Sequence, residues 1–332
     1  MEKILRFQPI YKEKIWGGRR LESEFGRKIP SGNIGESWEI SDYGKEISIV
    51  SSGKWKGKTL RELYKSYPKE IFGENFTHLE EFPLLVKLLD AKEKLSVQVH
   101  PDNEYALKFD PSSKGKKEAW LILSSDDNSE IVCGFANDLS KDEYKKKIES
   151  NQAENDLKQW KTTKGDSFII NPGTIHAIGG GNLILEVQQS SDSTYRVYDY
   201  GRLGDDGKPR ELHIQKSLDV LNFKKSKGEE KLSKKTIKEA DKSKRFLLES
   251  NDKFRFEILE FNGLIELPCL LSKPSFQILT IIAGQIELEG EILGFGDTVL
   301  ATAYGVRMGI SMKSIGNVEL AIFTLSEEMS LK

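Results

Sequence analysis

The sequence predicts a mainly β protein, a sandwich or barrel, with helical insertions and a second, smaller β-domain. Short runs of β-branched and aromatic residues closed by Gly, Asn, Asp or Pro predict the strands. Two segments of helical spacing interrupt those runs, and a lysine-rich stretch separates them from a second set.

The strand-like runs are SWEISDY (37–43), PLLVKLLDA (83–91), LSVQVHP (95–101), AWLILSS (119–125), EIVCGF (130–135), DSFIINP (166–172) and NLILEVQQ (182–189). Many short strands at this spacing read as a sandwich or barrel. They do not alternate with helices, which argues against a doubly wound α/β sheet. Residues 59–80 and 138–160 carry helical spacing and start at Thr59 and Ser140, both good N-caps. Residues 224–244 hold nine lysines and little to bury, so they are expected to form a solvated linker. The strand pattern resumes in FRFEILEF (254–261), FQILTIIAG (276–284), QIELEG (285–290) and TVLATA (298–303). The expected domains are 1–223, with the helical insertions, and 245–332, joined by the linker 224–244.

The chain has 332 residues, room for two domains, with 37% apolar and 31% charged residues. Its 50 Lys+Arg nearly balance 52 Asp+Glu, leaving no global field to attract nucleic acid or an anionic membrane. An anionic ligand must then be captured locally. The N-terminus lacks the apolar core of a signal peptide, and no run reaches the length of a membrane-spanning helix. Cys133 and Cys269 are too few to staple a secreted scaffold, so the expected compartment is the cytoplasm.

An internal echo links the two halves. GDSFIINPGTIH (165–176) aligns without a gap on GDTVLATAYGVR (296–307), so that His176 falls over Arg307. Two related β-barrels would explain this, with chemistry confined to the one that keeps the histidine.

There are four histidines, His78, His100, His176 and His213. In LSVQVHP, Gln98 and His100 project to one face while Val97 and Val99 face the core. Glu118 opens a strand eighteen residues beyond His100, and His176 follows a Pro-Gly turn. A carbonyl oxygen, two imidazoles and a carboxylate from separate strands form a candidate divalent-metal set, suited to Zn²⁺ and less selectively to Fe²⁺ or Mn²⁺. The alternative is a set of hydrogen-bonded structural histidines, the reading adopted for His78 and His213.

QVHPDN, the downstream GKKE, PGTIHAIG and QQSSDSTYRVYDYGR, with KIWGG (14–18), GESWEIS (35–41), PLLVKLLDA and RELHIQKSLDV (210–220), resemble the type I mannose-6-phosphate isomerases in their short bacterial form. The resemblance implies a double-stranded β-helix (cupin, or jelly-roll) barrel with a second, smaller cupin-like domain lacking metal ligands. It implies one Zn²⁺ per chain on Gln98, His100, Glu118 and His176, an essential Arg196, and Lys116 as an acid/base or substrate contact. Ser96 and Glu186 match residues lining the same pocket. Where the short form usually has threonine, this chain has Lys117.

The implied reaction interconverts mannose 6-phosphate and fructose 6-phosphate by moving a proton between C2 and C1 through an enediolate. Arg196 suits the developing oxyanion, and Lys116 ranks first as the base. Arg202 reads as a surface residue packed on tyrosine rings. The expected partner is a small sugar phosphate, with no nucleic acid and no membrane, and the chain is expected to be a monomer or weak dimer. Rival readings are an iron-dependent dioxygenase, a non-catalytic sugar-phosphate-binding or regulatory protein, and an isomerase of the same chemistry that prefers a different hexose phosphate.

Overall fold

The computed structural model describes residues 1–204 and 207–330, and β-structure dominates it. The chain groups into two compact units, one of residues 11–37 and 87–232, the other of residues 1–10, 38–86 and 233 onward.

The first unit is built on two sheets. One is ordered Leu157–Lys161, Glu130–Phe135, His176–Ile178, Val97–Val99, Tyr195–Tyr198. The other is ordered Ser167–Ile170, Glu118–Ser125, Asn182–Gln189, Leu84–Ala91, Ile10–Gly18, Ile34–Ile40. Trp16, Leu89, Trp120, Ile122, Phe168 and Ile184 from the second sheet form one core with Ile131, Cys133 and Ile178 from the first. The opposite face of the five-stranded sheet presents Val97, Val99, Phe135, Ala177 and Val197 to Tyr144, Ile148 and Leu218. Those last three lie on the helices Lys141–Glu149 and Ile214–Val220. Strand alternation thus separates the valines of LSVQVH from Gln98, as the period of two requires.

The second unit holds a nine-stranded sheet. Its path runs Ile4–Arg6, Thr298–Ala301, Gln277–Leu288, Ser311–Leu325, Phe254–Phe261, Ser243–Ser250, Lys235–Ala240. Its division is discontinuous in sequence, unlike the linear one expected. Backbone pairing of Ile4–Arg6 with Thr298–Ala301 ties the first residues to this unit. The rings of Phe72 and Phe82 pack on Phe276, with Phe82 4.6 Å away centroid to centroid, which ties in the insertion.

Both expected helix starts are present as capping boxes. Thr59 caps Leu60–Ser66 with Glu62, and Ser140 caps Lys141–Glu149 with Glu143. The insertion at 138–160 is helical only in its first half, because Leu157–Lys161 joins the five-stranded sheet. Residues 224–244 are not a bare linker either. Lys235–Ala240 is a strand with all six residues exposed, paired to Ser243–Ser250 at the sheet edge. An edge strand needs partners only for its backbone, and lysines there discourage pairing with other chains.

The sequence echo is structural. Gly165 N–H donates to Ile122 O (2.9 Å) while Ile122 N–H donates to Asp166 O (2.8 Å). Gly296 and Asp297 make the same reciprocal pair with Ile281, at 2.8 and 3.0 Å. Both glycines are in the left-handed region, φ 90° and 83°. The strands Ser167–Ile170 and Thr298–Ala301 follow. The paths then diverge: His176 opens a strand, whereas Arg307 lies in the helix Ala303–Met308, capped by Thr302. Among the described residues no helix is long and apolar enough to cross a membrane.

Phe276 is fully buried in its aromatic cluster. Phe276→Ala should therefore lower unfolding stability by about 3–5 kcal/mol in denaturant titration. A loss below about 1 kcal/mol would show that the cluster does not hold this unit together.

Candidate active site

His100, Glu118 and His176 converge in the first unit. Their ligand atoms all lie within 4.8 Å of one another, and all three side chains are buried. The sequence places them on different elements, and backbone hydrogen bonds draw those elements together. Gly173 N–H, in the Pro-Gly turn, donates to His100 O at 3.0 Å. Its φ of 85°, with Val220 O 2.9 Å from where a Cβ would stand, requires glycine there. Lys116 N–H donates to Pro101 O at 3.0 Å, anchoring the approach to Glu118.

Sheet register does the rest. His176 lies opposite Gln98, and Gln98 lies opposite Arg196 on its other side. Directly opposed residues point to the same face, so His176, Gln98 and Arg196 stand side by side across three strands.

His100 Nε2 and His176 Nε2 each lie 3.6 Å from a different oxygen of Glu118. His176 Nδ1 donates to Thr174 O (2.9 Å), which leaves the Nε2 lone pair facing the cluster. Gln98 Nε2 is 3.2 Å from that nitrogen. An amide can present its oxygen in the same place by rotating. Lys116 Nζ lies 2.8 Å from Glu118 Oε2.

Burial, reinforced by the charge of Lys116, lowers the His100 pKa to about 3, and burial lowers that of His176. Both rings are neutral at neutral pH and can donate lone pairs. Burial alone would raise Glu118, but Lys116 and the imidazoles hold it well below the usual carboxylate range. Among the described residues, neither ring nitrogen of His100, nor Glu118 Oε1, has a hydrogen-bond partner. Unsatisfied buried donor atoms are costly and call for an explanation. Two imidazoles and a carboxylate aimed at one point are the donor set a divalent cation needs.

A cavity of about 250 Å³ opens beside this cluster, reaching it through Gln98 and Lys116. Lys14, Trp16, Glu36, Lys87, Ser96, Glu186, Asp192, Thr194, Arg196 and Arg210 complete most of its polar wall. Of the residues singled out in the sequence, Ser96, Gln98, Lys116, Glu186 and Arg196 line this cavity. His78 is exposed in the other unit. His213 braces Arg196: its Nδ1 accepts Arg196 N–H (3.1 Å), and its own N–H donates to Arg196 O (2.8 Å). Arg202 stacks over Tyr200, 5.2 Å from the ring centre, as expected.

Arg196 Nε donates to Ser96 Oγ (3.3 Å) and Nη1 to Glu211 O (2.8 Å). Glu186 accepts from Trp120 Nε1 (2.9 Å) and sits 3.4 Å from Lys87 Nζ. Burial, then the charge of Glu118, raises the Glu186 pKa.

Sequence reasoning missed Lys87. It is the basic residue of the eight-residue buried strand Leu84–Ala91, and it contacts Glu36 (3.9 Å), Glu186 (3.4 Å) and Asp192 (3.8 Å). The signal was present: a lysine inside an otherwise apolar run must have carboxylate partners when buried. Asp110 was missed too. It accepts from Tyr195 Oη (2.8 Å), Lys216 Nζ (2.8 Å), Ser112 and Ser113, joining the loop before Lys116 to the strand of Arg196.

The family model described as "Phosphomannose isomerase type I, catalytic domain" matches residues 4–114. A mannose-6-phosphate isomerase of Streptococcus mutans is 46% identical over 223 residues, 67% of this chain and 69% of that protein. Among solved structures, the mannose 6-phosphate isomerase from Bacillus subtilis superposes with TM-score 0.87 at 35% identity, covering 98% of this chain and all of that one. A mannose 6-phosphate isomerase bound with zinc and yttrium shares the fold, with TM-score 0.74 at 16% identity.

The Lys216 ammonium, together with three hydroxyls, holds the Asp110 carboxyl below its usual range. Its stabilisation is therefore present above the unfolded-state pKa and is lost as pH falls through the folded one. Asp110→Asn should reduce stability by about 1–3 kcal/mol at neutral pH, and the difference should shrink as pH falls below about 4. A deficit independent of pH would exclude the charged contact as its cause.

Proposed function

The chain belongs to the type I phosphomannose isomerase family, and on that basis we propose that it interconverts mannose 6-phosphate and fructose 6-phosphate using one Zn²⁺ on Gln98, His100, Glu118 and His176. The observation that carries this reading is the cluster of unpartnered, buried lone pairs on His100 and Glu118 beside a charged cavity. Nitrogen and oxygen donors in this ratio suit zinc, which can expand its coordination for a substrate oxygen. Bound there, the ion supplies Lewis-acid polarisation of the sugar's carbonyl oxygen.

The remaining work falls to side chains. Once the ring is open, a base takes the C2 proton, and the enediolate is reprotonated at C1. The base must sit near the carbon and have a pKa drawn toward the working pH. Glu186 meets the second condition, since burial raises it, and its Oε1 has no hydrogen-bond partner. Lys116, expected from the sequence to be that base, instead gives its ammonium to Glu118 at 2.8 Å. That contact suits Lys116 to donate hydrogen bonds to the sugar oxygens as they gain charge. Arg196 carries no carboxylate ion pair among the described residues and faces the same side of its sheet as Gln98. Its fixed positive charge stabilises the oxyanion of the enediolate. Lys87, held among three carboxylates, keeps Glu186 in place. Cellular placement in the cytoplasm fits a reaction on a soluble sugar phosphate.

Chelation of the purified protein should reduce isomerisation roughly a thousandfold or more, with recovery on adding Zn²⁺. His176→Ala should remove both the metal, measured on the same sample, and the activity. Full turnover by metal-free protein would end the zinc reading. Glu186→Gln should lower kcat by roughly 10²–10⁴ while metal content stays at wild-type level. It should also abolish the acid limb of the kcat/KM profile, because a base works only when deprotonated; an unchanged limb would remove Glu186 from that role.

A further inference from the structure

We propose that Arg210, gripped from behind by Asp199, is the anchor for the phosphate of the sugar substrate at the end of the cavity away from the histidines. The proposal rests on the isomerase reading and extends it to the half of the substrate that does not react.

Position is the first support. The ladder from His176 through Gln98 to Arg196 ends on Tyr195–Tyr198, the last strand of its sheet. Residues 211–213 continue it. His213 N–H donates to Arg196 O and Arg196 Nη1 to Glu211 O, so this segment runs beside the edge strand. Arg210, which precedes it, therefore lies one strand spacing beyond Arg196 while still lining the cavity. With strands about 4.8 Å apart, three steps separate the His176 backbone from that of residues 211–213 by about 15 Å. A guanidinium reaching back over that distance spans an open six-carbon chain whose carbonyl end lies at Gln98.

Charge is the second. Arg210 binds Asp199 through two nitrogens, Nε to Oδ2 at 2.7 Å and Nη2 to Oδ1 at 2.6 Å. Its Nη1 has no partner among the described residues. Asp199 also accepts from Arg202 (2.5 Å), so two guanidiniums, of Arg202 and Arg210, share one buried carboxylate, and Arg196 lines the same cavity as Arg210. The positive charges are felt: after burial, Arg210 is the largest influence lowering the pKa of Arg196. Excess fixed positive charge with a planar donor edge free is the arrangement that binds a phosphate dianion. Arg202 turns away, donating to Lys94 O, and does not line the cavity. Asp199 is a positioning residue, since it acts through Arg210.

The test uses the zinc-loaded enzyme and two probes, inorganic phosphate by calorimetry and mannose 6-phosphate by initial rates. R210Q should weaken phosphate binding by about tenfold to a hundredfold and raise KM for the sugar phosphate by a similar factor, with a smaller change in kcat. D199N, which frees the Arg210 side chain to wander, should raise KM by less, and R210K should restore part of the lost affinity. Phosphate affinity and KM at wild-type values in R210Q would overturn the assignment; so would an effect on kcat alone. If R210Q does not fold, by circular dichroism, unchanged phosphate affinity in both R210K and D199N overturns it equally. The two readings fail separately. Wild-type protein that turns over no hexose phosphate but binds phosphate in an Arg210-dependent way defeats the isomerase reading and leaves the anion site standing.

Discussion

Everything in the unit that holds the histidine cluster turns on keeping charged groups out of water without leaving them unbalanced. Glu186 and Lys87 are buried in the cavity wall and Glu118 is buried beside it, and isolated burial of any of them costs several kcal/mol. The solution is alternation: Lys116 against Glu118, Lys87 against Glu186, with Glu36 and Asp192 beyond. Among the described residues, both ring nitrogens of His100 and Glu118 Oε1 are left without hydrogen-bond partners where the histidines meet, and Glu186 Oε1 is left so in the cavity wall. The lone pairs of His100, His176 and Glu118 converge on one point, and a divalent cation is the species whose charge would meet them there.

Backbone devices hold that balance in place. The two histidines are brought together by a main-chain bond from the Pro-Gly turn, not by their own side chains. Arg196 is held at main chain and side chain alike by residues 211–213. Because the sheet repeat is fixed, strands carrying Gln98, His176 and Arg196 in register give the site a regular spacing along which a linear substrate can lie.

The second unit shows what the fold does without this chemistry. It keeps the Gly-Asp turn with its reciprocal pair of hydrogen bonds and the strand after it, then departs into a helix where the first unit presents His176. The shared turn is a backbone motif that needs a glycine with positive φ and tolerates many side chains. The histidine, by contrast, is buried against Trp120 and His100 in the first unit.

Local patterns in the sequence determined the mainly β class, the capped helices at Thr59 and Ser140, the repeat around Gly165 and Gly296, and, through family motifs, the residues that converge on the cavity. These features depend on neighbours a few residues apart, so they are written in periodicity and capping chemistry. The tertiary structure decided the rest. Lys235–Ala240 became a strand because an edge position asks only for backbone partners, which composition cannot reveal. The discontinuous division followed from Ile4–Arg6 pairing with residues almost three hundred positions away. Lys116 met Glu118, and Arg210 met Asp199, through side-chain geometry. Only folding sets such long-range distances, and at charged sites a distance of a few ångströms separates a base from a hydrogen-bond donor.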